Sequence, residues 1–160
     1  MAVQLGQLGR WLDKAAAYAA ARKFDADTLL SARLAPDQFP LLRQIGSACD
    51  TAKNSVARLT GKTAPTHPDD QKTLAECQAR IKDVIAFVGT VSPADYAKAT
   101  EAKIMFPWMP GKYLAGADYL VQFAIPNFHF HLSHAYAILR HNGVELGKGD
   151  FLGNLNWHDA

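Results

Sequence analysis

Four stretches of this chain place apolar residues at alternating steps of three and four, and that spacing restricts its fold more than any other feature. Such a stripe occupies one face of an α-helix and has to be buried against a neighbouring helix. In the first stretch it runs through Leu5, Leu8, Leu12, Ala15 and Ala19. The second carries Leu42, Ile45, Cys49, Ala52, Val56 and Leu59 and stops at Gly61, while the third carries Leu74, Cys77, Ile81, Val84 and Val88 and stops at Gly89. The repeat predicts an all-α fold, an antiparallel four-helix bundle with helices near 3–22, 38–60, 68–89 and 117–142, crossing at about 20°. Asp37 is the expected N-cap of the second helix with Pro40 in its first turn, and Thr66-His67-Pro68-Asp69 is the expected start of the third. At 160 residues the chain has the length of one domain, residues 1–160.

Between the third and fourth helices, Ser92-Pro93-Ala94-Asp95 has the pattern of a cap, a first-turn proline and an acid, which predicts a short helix. Apolar residues from Ile104 to Trp108 and at Tyr113-Leu114 flank Pro110-Gly111, so this region is either a small hairpin or an extended arm across one end of the bundle. With 49% hydrophobic residues and a net charge of +2, disorder and a nucleic-acid footprint are both excluded. No apolar run approaches the length of a membrane span, and the N-terminus lacks a signal-peptide pattern, so the expected compartment is the cytoplasm. There Cys49 and Cys77, both on helical core stripes, are expected as reduced thiols. The alanine-rich first helix and the segment Ile104 to Trp108 offer more apolar surface than one bundle needs, which predicts a homodimer.

The fourth stripe breaks the apolar rule. It reads Leu120, Ala124, Asn127, His131, His134, Ile138 and His141, with Pro126 expected to kink the helix. Unpaired polar groups at core positions cost about 1–3 kcal/mol each, so this face must hydrogen-bond across the bundle or line a pocket. His131 and His134, one turn apart, could share an ion or pair with Gln44, Asp50 or a backbone carbonyl. His141 lies about 10 Å beyond His134 at 1.5 Å per residue and suits the C-terminal dipole, whereas His129 points away. Asp50 is the expected functional carboxylate, and Arg33 and Arg43 could meet an anionic ligand. The aromatics Phe123, Phe128, Phe130 and Tyr136 are expected in the core or at an interface.

The run Ile138-Leu139-Arg140-His141-Asn142-Gly143-Val144 resembles the end of the last helix in the DinB-like and YfiT-like four-helix bundles of bacteria. Together with Ala32-Arg33-Leu34-Ala35-Pro36-Asp37, the Gln44 and Asp50 region, Asn127-Phe128-His129-Phe130-His131 and Gly147-Lys148, it is similar to one branch known only as a domain of unknown function. That superfamily includes metal-dependent hydrolases and thiol-dependent transferases that hold a metal with three histidines. By the resemblance, two of these fall on Asn127 and His131 and the third on the second helix, where Gln38 to Gly61 contains no histidine. The resemblance therefore implies two expectations. One is a metal-depleted, non-catalytic bundle that binds a small molecule or serves in stress, with no cofactor and a pocket of Gln44, Asp50, Asn127, His131 and His134. The other is a hydrolase or transferase using His131, His134 and Asp50 with zinc or nickel.

Overall fold

In a computed structural model, which describes residues 1–159, most of the chain is helical. Helix α1 spans Ala2–Arg22, α2 Leu41–Thr60, α3 Leu74–Val88 and α4 Ile125–His141, followed by a short α5, Lys148–Leu152. The stripes named above are the core: Leu5, Leu8, Leu12, Ile45, Cys49, Ile81, Val84 and Ile138 are all buried. Packing is most extensive between α2 and α4, then between α1 and α3 and between α2 and α3, while α1 meets α2 only marginally. Consecutive helices α1 and α2 thus occupy opposite corners, joined by a 3-10 helix over Ala26–Ser31.

Two predicted starts move. Asp37 does not cap α2; Pro40 occupies the N-cap position, and no side chain caps it. The cause is tertiary, because the Leu41 N–H is already taken by the carbonyl of Ala32 at 2.9 Å. Helix α3 begins at Leu74 instead of near 68, since Thr73 and Glu76 form a reciprocal capping box and Asp27 accepts the Leu74 N–H at 2.7 Å. The residues in between form a strap without regular structure.

Before α4 the chain makes a 3-10 turn at Pro93–Tyr96, closed by a Ser92–Asp95 capping box, and a second at Ala99–Glu101, then a two-stranded antiparallel hairpin, β1 Lys103–Met105 and β2 Tyr113–Ala115. The hairpin is the choice the sequence left open. Ile104 pairs with Leu114 on its inner side and caps a second apolar cluster with Leu59, Phe106 and Tyr119. The last long helix is not continuous. A turn at Gly116–Asp118 leads into a π-helical stretch, Tyr119–Ala124, and regular α-geometry begins at Ile125. Pro126 accounts for the boundary: it has no N–H to return to the carbonyl four residues back, so the ladder before it widens by one residue.

Candidate functional site

The polar face of α4 meets α2 through two pairs of side chains. His131 Nδ1 lies 2.8 Å from Gln44 Oε1, and Asn127 Nδ2 donates to Thr51 Oγ1 at 2.8 Å. The pairing of a later residue on one helix with an earlier one on the other means that α2 and α4 run in opposite directions here. Each pair is anchored to backbone, because Gln44 Nε2 donates to the Phe39 carbonyl at 3.2 Å and Thr51 Oγ1 donates to the Ser47 carbonyl at 2.7 Å.

These anchors fix the imidazole's chemistry. With its amide nitrogen on Phe39, Gln44 can offer only its oxygen, so His131 carries its proton on Nδ1 and leaves the Nε2 lone pair free. No group among the described residues hydrogen-bonds Nε2. Burial, then the neighbouring charges of His134 and Arg43, hold the His131 pKa below its ordinary value of 6.5, so the ring is neutral at pH 7. The ring lies parallel to Phe39 at 6.4 Å and edge-on to Phe130 at 5.3 Å, two phenylalanines that are 49% and 50% exposed. A neutral hydrogen-bond acceptor therefore sits near the surface between two aromatic rings. It can accept a proton or a hydrogen bond, or donate one pair of electrons to a metal.

The other expected residues have partners of their own. Asp50, expected beside His131, faces α3: Oδ1 receives Arg80 Nη2 at 2.7 Å and Lys53 Nζ at 3.0 Å. Six residues separate Asp50 from Gln44, about 120° around a helix of 3.6 residues per turn, whereas Thr51 returns to within about 20° of Gln44. The missed partner was Thr51, and that same spacing could have found it. His134 turns back on its own helix, with Nδ1 at 2.6 Å from the Phe130 carbonyl. It lies over the Phe130 ring at 4.1 Å. Arg43 pairs with Asp69 while its guanidinium lies over the Phe39 ring at 5.7 Å, and Arg33 donates to the Gln38 carbonyl at 2.8 Å. His141 and His129 are exposed. Of the four aromatics, Phe128 is core and Tyr136 packs on Trp11, but Phe130 is at the surface and Phe123 belongs to the hairpin cluster.

A three-histidine metal centre does not fit these residues. Asn127 is spent on Thr51, Gln44 turns an amide oxygen toward His131, and among the described residues no three of His, Cys, Asp and Glu converge in a way that could hold an ion. The pattern of a family described as "Domain of unknown function (DUF1993)" matches residues 1–152. The chain belongs to the DUF1993 family. It is also 48% identical to a DinB family member protein from Shewanella denitrificans, whose crystal structure superposes with a TM-score of 0.96 over 99% of this chain and 90% of the other. No curated protein matches the chain. The chain thus has a DinB-like architecture, and no helix among the described residues is long and apolar enough to cross a membrane.

Proposed function

We propose that this DUF1993 chain is an antiparallel four-helix bundle that binds a small molecule without a resident metal, with His131 as the gripping residue. The observation that carries the reading is the His131–Gln44 pair, which presents a neutral imidazole with Nε2 unpartnered between Phe39 and Phe130. Such a site suits a flat ligand bearing an N–H or O–H donor: the rings take the flat face and Nε2 accepts the proton. Catalysis of the superfamily's hydrolase or transferase type finds less support. Its metal ligands are replaced, and the nearest expected carboxylate, Asp50, is neutralised by Arg80 and Lys53.

Imidazole 15N spectra of histidine-labelled protein test this reading, with phenol as the donor probe and anisole as the control lacking a donor. Phenol should move the His131 Nε2 resonance saturably while Nδ1 stays protonated, and anisole should not. A His131 resonance indifferent to phenol, or one titrated stoichiometrically by zinc or nickel, would overturn it.

A further inference from the structure

The hairpin does more than close the end of the helices. Between its connecting loop and the π-helical stretch lies a cavity of about 260 Å³. Phe106, Trp108 and Phe123 form one wall, with ring centroids 4.4 Å, 4.9 Å and 6.2 Å apart, and Tyr113, Leu114 and Lys112 lie around it. Two tight turns shape the loop, with the Met109 N–H on the Phe106 carbonyl at 3.0 Å and the Lys112 N–H on the Met109 carbonyl at 3.2 Å. Gly111 supplies the left-handed backbone, φ +75°, that brings Lys112 back toward the rings.

Two further observations say what could enter. Tyr119 and Phe123, both in the π-helical stretch, stack at 5.8 Å with only 21° between their planes. Phe123, the ring that closes the cavity, thus belongs to the π-stretch, and such stretches recur at functional sites. The charge is one-sided: residues 102–117 contain Lys103 and Lys112 and no acidic residue. Lys103 rests over Tyr113 at 5.1 Å, whereas the Lys112 ammonium has no hydrogen-bond or ion-pair partner among the described residues. Trp108 is 62% exposed.

We propose that this cavity is a second binding site, distinct from His131, for a small aromatic monocarboxylate. One or two fused rings would lie on Phe106, Trp108 and Phe123, with the carboxylate on Lys112. The volume is below the usual range for drug-sized ligands, which limits the occupant to that size.

Calorimetric titration of the intact protein with naphthoate and with its neutral isostere naphthamide is the test, on wild type, Lys112→Gln and Trp108→Ser. Both substitutions are at exposed positions, so the fold should survive. Naphthoate is expected to bind one to one and about fivefold more tightly than naphthamide, the effect of a partly exposed ion pair. Lys112→Gln should remove that preference, Trp108→Ser should weaken both ligands, and phenol-induced shifts at His131 should be unaffected by either. Equal binding of acid and amide, or no binding at millimolar ligand, would overturn the proposal. So would sedimentation showing a dimer that Trp108→Ser dissociates, or flotation of the protein with anionic vesicles, since each would give the patch to a different occupant.

Discussion

His131 is held by one side chain and enclosed by two rings, and this arrangement has measurable consequences for stability. Replacing it with alanine leaves Gln44 Oε1 without a donor in a buried position, which should cost about 1–3 kcal/mol in urea unfolding. Its lowered pKa adds a pH dependence of definite sign. Above the ordinary value of 6.5 the ring is neutral in both folded and unfolded chains, so nothing is lost. As pH falls from 6.5 through the depressed folded value, the unfolded chain binds a proton that the folded chain resists, and stability declines. The His131→Ala protein should lack this component when urea midpoints are compared from acid to neutral pH. An identical pH profile in both proteins would show that His131 titrates normally. The cysteines are equally constrained: burial pushes the Cys49 thiol up to about 12 and Cys77 to about 11. Neither should react with a disulfide reagent at neutral pH until the chain unfolds. Prompt labelling of native protein would contradict their placement in the core.

At the scale of elements, the sharpest constraint is Gly116, the residue that turns β2 into the last helical segment. A Cβ there would sit 1.7 Å from the carbonyl oxygen of Ala99, a backbone atom that cannot swing aside. Gly116→Ala should therefore cost several kcal/mol, on the order of a severe overpacking mutation, or abolish folding. Gly6 is the control, because a Cβ on this helical glycine meets nothing within 4 Å, and Gly6→Ala should stabilise α1 by about 0.5–1 kcal/mol. Thermal melts of the two variants moving in the same direction would refute the assignment. The element boundaries also show where sequence reading stops. Stripes such as Leu5 to Ala19 identified the helices because period 3.6 is a local property. The start of α2 was misplaced because its first N–H is satisfied by Ala32, nine residues back, and the start of α3 because Thr73 with Glu76 makes a better cap than Asp69. Asp69 instead holds Arg80 at 2.9 Å, a contact that only the folded chain creates. The site divides in the same way. Gln44 and His131 were readable as facing polar positions, but Asp50 was assigned to the wrong side because the buried Arg80 that claims it lies on another helix.

Across the whole molecule, the polar α2–α4 seam is spanned by the amides of Gln44 and Asn127, the hydroxyl of Thr51 and the imidazole of His131. On the far side, the strap is pinned by Lys53, which is buried and donates to the Pro65 carbonyl and to His67 Nδ1 at 3.0 Å each, while His67 Nε2 donates to Asp83 at 2.7 Å. The C-terminal turn closes the opposite corner: Trp11 Nε1 donates to the Asp150 carbonyl at 3.0 Å, its ring stacks on Phe151 at 5.5 Å, and Lys14 pairs with Asp150 at 2.6 Å. These contacts tie the strap and the C-terminal turn to the helices, and the function proposed above adds no resident metal to them. Elemental analysis of protein purified without an affinity tag, combined with melting curves with and without chelator, tests that most directly. The prediction is metal well below one equivalent and a melting temperature unchanged by chelator in wild type and in His131→Ala. Stoichiometric zinc or nickel, with a chelator-induced drop in melting temperature that His131→Ala abolishes, would contradict it.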